Sequence, residues 1–160
     1  MELELADGGN LFDLLYHVEA FDERVVRSFF QQALNGLHWC HTNGVAHRDL
    51  KPDHILLDQH FFNLKMAGFG LASRNVRTVS PRNFFFYTCK SRSPMCFLRC
   101  CAWRQDDRCY PIRVSEKYMA PEVLALNQGS TYDGFKADVF SMGVILFIML
   151  TQSMIYVGSP

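Results

Sequence analysis

His47-Arg48-Asp49-Leu50-Lys51-Pro52-Asp53-His54-Ile55-Leu56-Leu57-Asp58 is the stretch on which the reading of this chain turns. It is followed by Lys65-Met66-Ala67-Gly68-Phe69-Gly70-Leu71-Ala72 and later by Tyr118-Met119-Ala120-Pro121-Glu122. The first string gathers imidazole, guanidinium, carboxylate and ammonium groups just ahead of an apolar run. His54–Asp58 and Asn63–Met66 predict two short strands joined by a loop over residues 59–62, with Phe61 and Phe62 as an unusually apolar hairpin tip. Taken alone, Asp49 reads as a loop carboxylate that caps a turn.

Upstream, apolar residues recur at spacings of three and four from Val25 and Val26 through Phe29, Phe30, Ala33, Leu34 and Leu37 to Trp39. This predicts an amphipathic helix over Asp22–His41, with Asp22 and Glu23 in its first turn, where the helix dipole favours anions. Asn43-Gly44 ends it. Asp7-Gly8-Gly9 predicts a turn, and Asn10 caps a short helix through Leu11, Phe12, Leu14 and Leu15. Downstream, Val139–Gly158 carries no formal charge over 20 residues, long enough for a membrane span. Polar Ser141, Thr151, Gln152 and Ser153, with no basic residue following, point instead to a buried core helix. No membrane partner is expected.

With 160 residues, 49% hydrophobic and 20% charged, the chain has the make-up of one ordinary domain and excludes collagen, coiled coil and long disordered polymer. Charge balances over the whole, but residues 75–113 hold eight Lys and Arg against Asp106 and Asp107, a local net charge of +6. Cys89, Cys96, Cys100, Cys101 and Cys109 crowd into the same segment, leaving Cys40 alone. Their spacing contains no C-x-x-C pair, which argues against structural zinc. No nucleic-acid-binding motif accompanies the basic and aromatic residues, so no nucleic acid is expected as a partner. The segment lacks a period of 2 or 3.6 and is expected to be the least ordered part of the chain. No secretory leader opens the sequence, so the expected location is cytoplasmic or nuclear, with reduced thiols.

The three quoted strings, in that order, resemble the H-R-D-L-x-x-x-N loop, D-F-G turn and A-P-E motif of the protein kinases, and Lys51-Pro52 resembles their serine/threonine branch. The resemblance covers about residues 1–73 and 114–151. It implies a mainly α, α+β fold: a partial kinase domain spanning residues 1–160, from the hinge to the helix that resembles helix F, without the upper lobe and late C-lobe helices. Leu3 falls at the gatekeeper position. Glu4 and Ala6 resemble the adenine contacts of ATP, with Leu56 as the floor beneath the base. Asp49 matches the base for the substrate hydroxyl and Lys51 the residue that steadies the transferring phosphoryl. Arg48 matches the residue that grips a phosphorylated activation loop, and His47 the one that packs beneath the D-F-G phenylalanine, here Phe69. Asp138 resembles the helix F aspartate that accepts backbone hydrogen bonds from the catalytic loop, and an N-cap is the alternative reading. Ser115 matches a small hydroxyl residue near the substrate site, or is an ordinary loop serine. Glu122 matches the A-P-E glutamate, an unpaired carboxylate if buried.

The family holds magnesium with the catalytic-loop Asn and the D-F-G Asp. Those positions are His54 and Gly68 here. Magnesium wants oxygen donors, so imidazole is a poor replacement and hydrogen none. The resemblance therefore implies ATP-dependent phosphorylation of protein hydroxyls as the family activity, with a protein as substrate or partner, and predicts that this chain does not perform it. A noncatalytic pseudokinase or interaction remnant, and an incomplete gene model of an active kinase, stand beside that reading. Residues 75–113 read as a retained intron or a loop expansion between the two blocks of resemblance.

Overall fold

The computed structural model describes residues 4–18, 20–60, 63–74, 113–125 and 131–153. Along them run α1 (Leu11–His17), α2 (Glu23–Thr42), a 3-10 turn (Pro52–His54), β1 (Ile55–Leu57) and β2 (Leu64–Met66). Two further 3-10 turns (Phe69–Leu71 and Arg113–Tyr118) precede α3 (Pro121–Leu124) and α4 (Gly134–Thr151). The described chain is thus helix-rich, with a two-stranded antiparallel sheet in the register Ile55↔Met66, Leu56↔Lys65, Leu57↔Leu64.

Helix α2 forms where the 3.6-residue period predicts it. Asp22 is its N-cap rather than a first-turn residue, and its carboxylate accepts the Arg24 N–H at 2.7 Å. Val26, Phe29, Ala33, Leu37 and Cys40 form the buried stripe. Two residues assigned to that stripe lie off it: Val25 is 38% exposed and Trp39 67%. At 100° per residue they fall outside the arc that the other five share. The helix closes with Gly44 N–H on the carbonyl of His41 and Val45 N–H on that of Cys40, both at 2.9 Å.

In α1, Asn10 caps as expected, accepting the Asp13 N–H at 2.9 Å. Just before it, Gly8 N–H reaches the Leu57 carbonyl at 3.0 Å and Gly9 accepts from Leu57 at 2.9 Å. A Cβ at Gly8 would stand 2.1 Å from the Asp58 carbonyl oxygen, so only glycine lets this segment lie so close to β1.

Helix α4 is apolar on almost every side, and therefore no periodicity marks its start. It begins at Gly134, where Asp133 accepts the N–H groups of Phe135 and Lys136 at 2.9 and 3.2 Å. Asp138 lies a full turn inside, so the N-cap reading of Asp138 is corrected. The helix has the length and mean hydropathy (18 residues, 1.6) of a membrane span, yet half of that window is buried within the fold. Met142, Val144, Ile145, Ile148 and Met149 pack with Val26, Phe29 and Leu37 of α2, with Leu11, and with Ile55 and Leu57 of β1. Ala120, Val123, Tyr132 and Ala137 make a smaller cluster beside it.

Several expectations fall outside the described residues: the gatekeeper position Leu3, the Phe61-Phe62 tip, residues 75–112 with their cysteines and basic side chains, the Ser115 side chain, and residues 154–160.

Candidate functional site

The 47–54 loop is anchored from below by one carboxylate. Asp138, 1% exposed, accepts the His47 N–H on Oδ2 at 2.8 Å and the Arg48 N–H on Oδ1 at 2.7 Å. The Nε2 of His41 donates to the same Oδ2 at 2.9 Å. A buried carboxylate is tolerated only when its oxygens are hydrogen-bonded, and these three donors give both oxygens partners. Sequence reasoning missed His41: it lies 97 residues from Asp138, and no motif marks it.

His47 is fully buried, with its ring 4.6 Å from that of Phe69. Its Nε2–H donates to the Ala67 carbonyl at 2.7 Å, and its Nδ1 accepts the Asp49 N–H at 3.3 Å. Both bonds are made by one neutral tautomer. Burial pushes the imidazole pKa below its ordinary value, opposed in part by the Ala67 carbonyl and by Asp138. His47 therefore joins the loop to the segment before Phe69 as a structural imidazole. Arg48 Nε reinforces the join, donating to the Leu71 carbonyl at 2.5 Å.

Asp49 and Lys51 are both half-buried on this loop. The Asp49 carboxylate lies 3.6 Å from Nδ1 of His54, which donates to the backbone carbonyl of Asp49 at 2.7 Å. Lys51 caps the Pro52–His54 turn, its carbonyl accepting the His54 N–H at 3.0 Å. Glu122, by contrast, is exposed on α3, so no burial cost attaches to its carboxylate.

Across from the loop, Gly68 adopts a left-handed conformation, φ +78° and ψ 28°. The His54 ring stands directly against it: a Cβ built on Gly68 would meet His54 Cγ at 2.3 Å. These two residues do not fit magnesium. Gly68 offers no donor, Nδ1 of His54 carries the proton given to the Asp49 carbonyl, and its Nε2 is an imidazole nitrogen where magnesium wants oxygen. Among the described residues, no group of three or more His, Cys, Asp or Glu is arranged to hold a metal ion.

Two of the candidate adenine contacts, Glu4 and Leu56, lie at the sheet. Glu4 pairs with the Lys65 ammonium, and Lys65 is the cross-strand partner of Leu56. Asn10 bridges to Leu56 as well, and Ala6 and Leu56 are half-buried. A cavity of about 320 Å³ lies between α2 and the sheet, lined by Ala33, Gly36, Trp39, Ile55, Met66 and Phe69 among others. None of the candidate adenine or catalytic residues lines it.

Comparison with known proteins identifies the family. The family model described as the protein kinase domain matches residues 1–160. The chain is 38% identical over 148 residues to CBL-interacting serine/threonine-protein kinase 15 of Arabidopsis thaliana, covering 92% of this chain and 28% of that protein. It is 36% identical to CBL-interacting protein kinase 9 of Oryza sativa subsp. japonica, covering 94% of this chain and 26% of the relative. Serine/threonine-protein kinase CHK1 of Saccharomyces cerevisiae is 35% identical, with 93% and 23% covered. The chain thus spans about a quarter of the length of these relatives.

Proposed function

Since this chain belongs to the protein kinase family, and its relatives are serine/threonine kinases, we propose that it is a kinase-type lower-lobe unit that does not itself carry out magnesium-dependent phosphoryl transfer. In this reading residues 1–160 run from the hinge to helix F, which is α4, with an atypical basic, cysteine-rich insert at about 75–113. Asp49 and Lys51 keep the positions of the hydroxyl base and the phosphoryl-steadying cation. Glu4, Ala6 and Leu56 keep those of the adenine contacts. What is missing is the means to neutralise the phosphate charge that develops during transfer, which the family supplies with its metal ions.

The observation that carries the proposal is the His54 ring packed against Gly68, where two oxygen donors would be needed. With transfer absent, the role left to the chain is that of a noncatalytic unit acting through a protein partner in the cytoplasm or nucleus. The names of the plant relatives, CBL-interacting kinases, describe kinases that engage protein partners. The test is phosphate transfer from radiolabelled ATP and magnesium to a generic basic or acidic protein. No label above background is expected, and transfer that disappears in Asp49→Ala would overturn the proposal.

The shares of 28% and 26% covered in the plant kinases favour a second reading, in which the same unit is one part of a longer kinase. Sequencing the transcript separates the two. A message that extends upstream and lacks codons 75–113 supports the longer kinase, and a message identical to this sequence supports the noncatalytic unit.

A further inference from the structure

Position 68 and position 54 each lack the oxygen donor of a magnesium ligand. Their geometry links the two. A Cβ on Gly68 would lie 2.3 Å from Cγ, 2.4 Å from Nδ1 and 2.5 Å from Cδ2 of His54. All three are far inside van der Waals contact, and all belong to the root of a ring rather than to the end of a flexible chain.

The ring has little room to withdraw. His54 is 7% exposed, its Nδ1 is tied to the Asp49 carbonyl at 2.7 Å, and its backbone N–H is tied to Lys51 at 3.0 Å. The His47 ring stands 5.9 Å away, centroid to centroid. Nor do the two backbones have freedom to part, because Ala67, the neighbour of Gly68, donates its N–H to the His54 carbonyl at 2.8 Å. Overpacking a fixed site of this kind forces side chains off their rotamers or shifts the backbone.

We infer that His54 and Gly68 are a packing-coupled pair: the imidazole occupies the space that any side chain at position 68 would need. The inference rests on reading these as the family's cation positions, and it adds that the residue at one constrains the residue at the other. A histidine at 54 requires glycine at 68, so restoring a carboxylate at 68 alone yields a clash rather than a ligand.

A double-mutant cycle on the whole chain tests the coupling. Gly68→Ala is made in the native background and in His54→Ala, and thermal midpoints are compared. The left-handed φ penalises alanine equally in both backgrounds and cancels. The midpoint is expected to fall more in the native background, by a margin of roughly 3 °C or more. Should His54→Ala itself fail to fold, His54→Ser supplies the second background, since it also lacks the ring. Equal shifts in the two backgrounds overturn the coupling and leave the reading of the cation positions standing. Magnesium-dependent transfer by the native chain overturns that reading without affecting the cycle.

Discussion

Arg48 sits at φ +66° with its N–H held at 2.7 Å by the carboxylate of Asp138, 90 residues along the chain. A non-glycine residue in that region is strained and persists only where its surroundings over-determine it. Here they do: Asp138 holds the consecutive N–H groups of His47 and Arg48, the His47 ring holds that of Asp49, and His41 in turn holds Asp138.

Replacing Asp138 should therefore cost more than any surface carboxylate. Asp138→Ala strands the N–H groups of His47 and Arg48 and the His41 donor, and a loss of about 3 kcal/mol or more is expected. Asp138→Asn retains one acceptor oxygen and should fall between that variant and the native chain. Urea midpoints at constant slope give both numbers. An Asp138→Ala chain of native stability would mean that these bonds do not hold the loop.

His47 should make stability depend on pH in one direction. Its ring is held below the ordinary value of 6.5, so the unfolded chain takes up a proton there before the folded chain does. Stability from this group is present above pH 6.5 and is lost as the pH falls towards the depressed folded value, at no more than about 1.4 kcal/mol per pH unit. His47→Gln removes the titration while keeping a polar side chain. The slope of unfolding free energy between pH 7 and 5.5 should be shallower in that variant, and equal slopes would refute the assignment.

Helix α4 should behave as a core helix on one side only. Ile145 is 0% exposed and Leu150 is 53% exposed on the same helix. Ile145→Ala is expected to cost about 2–5 kcal/mol, and Leu150→Ala much less. Similar losses at the two positions would mean that a further surface covers Leu150 in solution.

Magnesium should be thermodynamically invisible to this chain. Anything that binds the folded state in preference to the unfolded state raises the melting midpoint. Millimolar magnesium chloride, with ATP present or absent, is expected to leave the midpoint where sodium chloride of equal ionic strength leaves it. A magnesium-specific rise would show oxygen donors that the His54 and Gly68 positions do not provide.

Much of this architecture was legible in the sequence because local physics wrote it there. Helix α2 announced itself by its stripe and by Asp22, while β1 and β2 lay within a residue or two of their expected bounds. The placement of Trp39 failed because spacings of three and four also admit residues beside a stripe. The start of α4 was missed because a helix apolar on all sides has no face to read, although the Asp133-Gly134 pair held a capping signal. The motifs marked Asp49, Lys51, His54 and Gly68 as candidates, and the fold sets His54 between Asp49 and Gly68. The contact between His54 and Gly68 was not legible, since sequence records what each residue lacks and not which neighbour fills the gap. The bond from His41 to Asp138 has no local signature at all.

The pairing of α2 with α4 also sets the timetable on which the chain is made. Thr42 completes α2, and Gly134, the first residue of the long helix that packs on it, is 92 residues farther on. At ribosomal rates of about 5–20 residues per second, some 5–20 s pass before the covering helix exists even as extended polypeptide. During that interval Val26, Phe29, Ala33 and Leu37 have only the short α1 and the β1–β2 hairpin to shelter them. The nascent chain is thus an early client for any holdase that recognises apolar helical stripes, and slower codons between these helices would lengthen that dependence.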